Sequence, residues 1–101
     1  MSNKYIPVKG VHYKVIKKKD LVDDDGDRAC GLCDRDKKII YIDAALKGEE
    51  YKLTLLHETI HAALGEAHID EVIDLKTEEM IVANIEDVLG PYVRITAKYD
   101  K

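Results

Sequence analysis

The chain has 101 residues, of which 46% are hydrophobic and 36% charged, and its formal net charge is −4. This composition is typical of a globular protein, and we expect a single domain over residues 1–101. The acidic balance argues against nucleic-acid binding, and no apolar run approaches the roughly 18 residues of a membrane span. The first ten residues lack the apolar segment of a signal peptide, so we expect a cytoplasmic protein with no membrane or nucleic-acid partner.

Three segments in the first half of the chain predict β-strands. Residues 11–18 alternate apolar and polar side chains, residues 28–34 follow a polar loop, and residues 38–43 form the clearest strand pattern. Because these segments are close in sequence, we expect an antiparallel meander. Residues 92–97 predict a last short strand or an extended tail.

Two helices are predicted in the second half. The first covers residues 49–64, with Gly65 at the position just after its end. The second covers residues 77–89, with Thr77 as its N-cap and a Gly-Pro pair at 90–91 as its stop. This order of elements predicts an α+β domain, in which a small antiparallel or mixed sheet of three or four strands packs against the helices.

The first helix carries the motif HExxH at His57, Glu58 and His61. Two histidines four residues apart lie on one helix face and can both bind zinc (Zn²⁺). Glu58 is not a ligand in this arrangement, and it can take a proton from a zinc-bound water whose pKa falls to about 7. The apolar residues of the helix form one stripe, and the motif lies at its edge. The sequence therefore predicts a zinc site with Glu58 as the general base.

A site of this kind needs a third protein ligand. His68 would complete a metzincin-like pattern, but its spacing is one residue too long. Glu78 lies at the centre of the apolar face of the second helix, where an unpaired carboxylate is costly to bury and a metal ion would remove that cost. Glu79 falls beside Glu86 on the side that we expect to be solvated. We therefore favour Glu78 as the third ligand, with Glu79 and His68 as alternatives and helix capping as the simpler role of Glu78.

The segment 53–89 resembles the core of small phage-type zincin metallopeptidases, which are related to the ImmA/IrrE-type proteases. The resemblance lies in the helix TLLHETIHA, a short linker and a second helix that opens with an acidic pair, and the strand KKIIYID before the first helix fits the same order. It implies a minimal zincin-like fold with a role in phage or mobile-element biology. It also implies zinc bound by His57, His61 and Glu78, with Glu58 as the general base.

The oxyanion that develops during peptide hydrolysis needs a stabilising group near the metal. Tyr41, Tyr51, Tyr92 and Arg94 are candidates, although packing is the simpler role for the tyrosines. Strand 38–43 could bind a substrate by β-augmentation.

Cys30 and Cys33 form a lone CxxC. Without a second CxxC or a βαβ context, we expect two strand residues on opposite faces rather than half of a zinc ribbon or a redox pair. The acidic residues 23–27 lack the ligand spacing of an EF-hand, so we expect a solvated loop rather than a calcium site.

The sequence as a whole predicts a zinc metalloendopeptidase that acts on a protein or peptide substrate. The alternative is a metal-stabilised, phage-type binding or regulatory protein without catalytic turnover. Glu58 favours the enzyme, because a structural zinc site needs no base and usually has four protein ligands.

Overall fold

The structure is a computed structural model that describes the backbone of residues 4–99 and the side chains of residues 4–93. Within that range it is an α+β fold, as predicted, with a four-stranded mixed sheet. A short 3₁₀ turn, Ile69–Glu71, connects the two helices. The strands and helices are β1 (Lys4–Val8), β2 (Val11–Lys18), β3 (Gly31–Asp34), β4 (Ile39–Asp43), α1 (Gly48–Glu66) and α2 (Leu75–Tyr99).

The strands lie in the order β1-β2-β4-β3, so the predicted meander is wrong at one pairing. β3 and β4 are antiparallel, as expected, but β2 and β4 are parallel neighbours. Residues 19–30 place β3 one strand position away from β2, and β4 then lies between β2 and β3. This connection is anchored at the sheet, because Leu21 is buried and Arg28 donates to the Asp43 carboxylate at 2.9 Å.

β1 forms an edge of the sheet that the sequence pattern did not predict. It pairs with β2 through a two-residue turn at Lys9 and Gly10, which have φ values of 48° and 83°. Positive φ at both positions matches the twist of a tight hairpin.

β4 is paired on both sides, so it cannot accept a further strand. The expectation that strand 38–43 offers a free edge for a peptide is therefore wrong. β3 forms that edge of the sheet instead, and it lies against α1.

α1 lies between the sheet and α2 and is buried on two sides. On the sheet side it packs against a core that includes Tyr13, Ile40 and Ile42, each 0% exposed. On the other side Ile60 and Leu64 pack against Val82 of α2. Packing on both sides fixes the rotation of α1, and the HExxH motif lies between the two cores.

α2 continues through Pro91, so the predicted stop and the predicted strand or extended tail over 92–97 are wrong. A proline inside a helix removes one hydrogen bond and crowds the carbonyl four residues earlier, so a helix that continues through it needs support from packing. Gly90 is buried, and a Cβ there would lie 3.6 Å from Leu53 of α1, so tertiary packing supports the helix at this point. The start also differs, because the N–H of Thr77 donates to Oδ1 of Asp74 at 2.7 Å. Asp74 therefore caps the helix in place of Thr77.

Neither helix within residues 4–99 combines the length and the apolar character that crossing a bilayer requires.

Candidate metal centre

A cleft of about 960 Å³ lies where β3, α1 and the start of α2 meet. Its walls also include the loop before β3 and the turn after it. The motif residues His57, Glu58 and His61 line the cleft, together with Glu78 and Glu79. A second cavity of about 280 Å³ also reaches His57 and Glu58. The fold therefore brings the predicted residues of both helices to one open site.

His57 and His61 face the same side of α1, as their spacing predicts. Their ring centroids are 5.0 Å apart and the ring planes meet at 60°. The side chain of His57 is 33% exposed and that of His61 is 12% exposed. Two imidazoles so arranged can converge on one ion.

Each histidine contacts a carboxylate of α2 through Nδ1. Nδ1 of His57 lies 2.8 Å from Glu86, and Nδ1 of His61 lies 2.5 Å from Glu78. An ionised carboxylate only accepts hydrogen bonds, so each Nδ1 carries the proton and donates it. In the tautomer that these contacts favour, Nε2 of each ring is the nitrogen that can bind a metal ion, which is how carboxylates orient metal-binding histidines.

Glu78 is 5% exposed, in agreement with its place on the apolar face of α2. Burial by itself raises the pKa of this carboxyl group, but hydrogen bonds from His61 and Arg35 lower it below its usual value. The cost of burying the carboxylate is therefore offset by two donors within the protein. Its role as a metal ligand remains a prediction. In the structure the Glu78 carboxylate instead accepts hydrogen bonds from His61 and Arg35.

Glu79 lies on the Nε2 side of the His61 ring. Its Oε1 lies 3.0 Å from Nε2 of His61. Ligand atoms of His57, His61 and Glu79 all lie within 4.8 Å of one another. Two atoms about 2.1 Å from a tetrahedral zinc ion would be about 3.4 Å apart, so a small movement of the exposed Glu79 side chain admits the ion. Two imidazoles and one carboxylate are a donor set that zinc uses in hydrolytic enzymes.

His68 does not belong to this group. It lies after the end of α1 with a φ of 60°, and its side chain is 75% exposed and contacts Glu71 at 3.4 Å. This exposed position agrees with the spacing of His68, which is one residue too long for a metzincin-like ligand.

Glu58 is buried beside the two histidines and is 8% exposed. Burial raises the pKa of its carboxyl group, against the opposing effect of His57 and His61. A raised pKa suits a group that accepts a proton and later returns it. Gly31 of β3 lies directly over this side chain, because a Cβ atom there would be 2.9 Å from Cγ of Glu58.

Cys30 and Cys33 are in different surroundings, but only Cys33 lies in a strand; Cys30 lies in the bend just before β3, so the prediction of two strand residues is wrong for Cys30. Cys30 is exposed, whereas Cys33 is partly buried and packs against the core under the sheet. Burial, together with the nearby charge of Glu58, raises the pKa of the Cys33 thiol to about 12. Cys33 is therefore protonated and unreactive near neutral pH.

Among the candidates for oxyanion stabilisation, Tyr41 lines the cleft. Tyr51 contacts Lys4 and Lys17 instead, and Tyr92 is 68% exposed on α2. The side chain of Arg94 lies outside the described residues.

The loop before β3 brings three aspartates together. Oδ1 of Asp23 accepts the N–H groups of Asp25 at 2.9 Å and Asp27 at 3.0 Å. Ligand atoms of the three carboxylates lie within 4.8 Å of one another. Asp25 and Asp27 are exposed, and the backbone hydrogen bonds to Asp23 explain the shape of this loop.

Sequence reasoning missed three residues of the site, namely Glu86, Arg35 and Gly31. One signal was available for Glu86. It lies seven residues after Glu79, so both project from one side of α2, as the two histidines project from one side of α1. Arg35 and Gly31 give no such signal, because their roles depend on contacts between segments distant in sequence.

Comparisons with known proteins add no family to this description. No family model matches the sequence, and neither the curated proteins nor the solved structures gave a match. The function proposed below therefore depends on the contacts of the candidate metal centre.

Proposed function

We propose that this protein is a small zinc-dependent endopeptidase. His57, His61 and Glu79 hold the metal, and Glu58 is the general base. The observation that carries the proposal is the convergence of these three ligand atoms beside a buried Glu58 in an open cleft. A purely structural site would favour a closed set of four protein ligands.

The residues of the site divide the chemistry between them. Zinc, when bound, supplies a Lewis acid that polarises the scissile carbonyl and lowers the pKa of a water molecule. Glu58 takes a proton from the attacking water and delivers it to the leaving amine. Glu86 and Glu78 contact Nδ1 of His57 and of His61 and so orient the imidazole rings, and Nε2 of each ring would bind the metal.

A peptide substrate has a natural binding place along β3. Gly31, Leu32, Cys33 and Asp34 all line the cleft, and β3 is paired on one side with β4. The other side can pair with an extended peptide by β-augmentation. Such a peptide would run past Glu58, which lies under Gly31.

The charge of the cleft favours a basic peptide. Among the residues whose side chains the structure describes, Arg35 is the arginine that lines it, and Arg35 is already paired with two carboxylates. The wall is otherwise rich in acidic side chains, which attract lysine and arginine and repel acidic peptides. Those outside the proposed catalytic and ligand set are Asp23, Asp24, Asp25, Asp34, Asp36, Asp70 and Glu78.

The zincin-like assignment belongs to this proposal. It is supported by an HExxH helix packed beside the edge strand of a mixed sheet, with a second helix that brings Glu79 beside His61. A cytoplasmic location also belongs to it, because Cys30 and Cys33 are unpaired and Cys30 is exposed, which fits a reducing compartment.

The test is hydrolysis of a mixed peptide library by the zinc-loaded protein, followed by mass spectrometry. Glu58→Gln should retain zinc and lose cleavage by at least about 100-fold, the usual contribution of a general base. Glu50→Gln, in the exposed first turn of the same helix, is the matched control and should cleave normally. If zinc stabilises the fold but neither the wild type nor Glu50→Gln cleaves any peptide, the protein is a metal-stabilised binding module.

The basic preference is tested in the same library. Products should be enriched in lysine and arginine near the cleaved bond. Asp24→Asn combined with Asp36→Asn should weaken this preference, whereas Asp87→Asn on the exposed side of α2 should leave it unchanged. Equal cleavage of acidic and basic peptides by the wild type would contradict the charge argument.

A further inference from the structure

Arg35 lies in the turn between β3 and β4 and links that turn to two other segments. Its Nη1 donates to Oδ2 of Asp70 at 3.1 Å, and its Nη2 donates to Oε2 of Glu78. Asp70 belongs to the 3₁₀ turn Ile69–Glu71, and Glu78 to the first turn of α2. One guanidinium group therefore ties three segments of the chain together beside the candidate metal centre.

The side chain of Arg35 reaches these partners by crossing α1 at Gly65. A Cβ atom at Gly65 would lie 2.6 Å from Cδ and 2.9 Å from Nε of Arg35. Any other residue at position 65 would therefore displace the arginine. Gly65 lies inside α1, where glycine is a poor helix former, so the helix-stop interpretation does not explain it. The close approach of Arg35 does explain it.

We propose that Arg35 is a positioning residue for the metal centre, and that Gly65 allows its side chain to reach Glu78. The inference rests on the proposed function, because it concerns the orientation of His61, a proposed zinc ligand. Arg35 and His61 contact the same carboxylate oxygen, Oε2 of Glu78. With that oxygen held by two donors, Glu78 stays on Nδ1 of His61 and away from the metal, and the third ligand position is left to Glu79.

The planar fork of arginine is needed for this task. Its two terminal nitrogens contact Asp70 and Glu78 at the same time. A lysine ammonium is a single point charge on a flexible stem and cannot hold both carboxylates in a fixed geometry. Arg35→Lys should therefore restore only part of the function of Arg35.

The test is cobalt(II) binding to the full chain, because the visible absorption of bound cobalt depends on the identity and geometry of its ligands. In Arg35→Met we expect the affinity to fall about 10- to 100-fold, as for the loss of other groups that orient a ligand. The absorption bands should also change, and Arg35→Lys should recover part of both losses. Val15→Ala, in the core under the sheet and away from the cleft, is the control. It should lower stability without changing the spectrum.

Gly65→Ala provides a second test that keeps the guanidinium group. In the wild-type background it should lower the Tm and weaken cobalt binding, because the new methyl group displaces Arg35. In an Arg35→Ala background the same change should raise the Tm, because alanine is the better helix former and the three atoms nearest to the new methyl group, all of Arg35, are gone. Changes of the same sign in both backgrounds would contradict the role of Gly65.

The possible failures are distinguishable. Unchanged cobalt affinity and an unchanged spectrum in Arg35→Met would overturn the inference and leave the proposed function standing. If Arg35→Met does not fold, Arg35→Lys and Gly65→Ala decide by the same two readouts. A wild-type chain that takes up neither cobalt nor zinc would overturn the proposed function, and this inference with it.

Discussion

Gly31→Ala places a methyl group against the proposed catalytic base. The new Cβ would lie 2.9 Å from Cγ and 3.1 Å from Oε2 of Glu58, and 2.8 Å from Cγ2 of Thr54. Carbon atoms in contact prefer separations of about 3.5–4.0 Å, so Glu58 or the strand must move by roughly 0.6 Å. Both contacts are with α1, which is packed on two sides and cannot simply move away.

Two effects of known size follow from this clash. Overpacking costs about 1–3 kcal/mol, and each 1 kcal/mol lowers the Tm of a domain of this size by about 4–8 °C. A displacement of 1 Å at a reacting group can cost about 100-fold in rate, so roughly half that displacement should cost about tenfold in kcat. Zinc content should not change, because none of the proposed ligands is touched.

The assay compares kcat, bound zinc and Tm for Gly31→Ala and Gly90→Ala. Gly90 is the matched control, because a Cβ there meets Leu53 at an ordinary 3.6 Å and lies within α2. We expect Gly90→Ala to leave kcat unchanged, because Gly90 lies outside the cleft; the gain in helix propensity is offset by crowding of the new Cβ against the ring of Pro91. Wild-type kcat and Tm in Gly31→Ala, or equal losses in both variants, would refute the close packing of Gly31 on Glu58.

Three further predictions concern stability and thiol chemistry. Val82→Ala removes two methyl groups from the core between α1 and α2 and should lower the free energy of unfolding by about 1–3 kcal/mol in urea titrations; a loss below about 0.5 kcal/mol would contradict full burial. Iodoacetamide at pH 8 should alkylate the exposed Cys30 and spare Cys33, whose pKa is raised by burial to about 12. Mass spectrometry of the peptides measures this, and alkylation of Cys33 in preference to Cys30 would contradict it. The hydrogen bond from Lys38 lowers the pKa of Glu66, so its stabilisation is complete above the usual value of 4.5 and is lost as the pH falls through the lower pKa of the folded state. Glu66→Gln should remove this part of the acid sensitivity, and an unchanged dependence of Tm on pH would count against it.

The elements that the sequence predicts well are those whose pattern is local. β2 and β4 lie where alternation and β-branched residues place them, and α1 lies where its apolar periodicity places it. The parallel pairing of β2 with β4 depends on where the twelve residues 19–30 take the chain, which no local pattern records. β1 was missed because Pro7 interrupts its pattern, and proline is compatible with an edge strand such as this one.

The site shows the same division between local and non-local information. The spacing of His57 and His61 on one helix predicts their shared face without reference to any other element. The choice between Glu78 and Glu79 depends on how α2 is rotated against α1, and a helical wheel drawn for α2 alone locates only its apolar centre. In the structure the apolar centre of α2 places Glu78 against Arg35. The flank of α2 places Glu79 beside Nε2 of His61.

The most direct test of the central claim is a crystal structure of the zinc-loaded protein with anomalous data collected at the zinc edge. We predict one zinc peak bound by Nε2 of His57, Nε2 of His61 and a carboxylate oxygen of Glu79, with Glu78 on Nδ1 of His61. Protein that shows no zinc peak after loading, or a zinc ion bound by Glu78 in place of Glu79, would contradict the account.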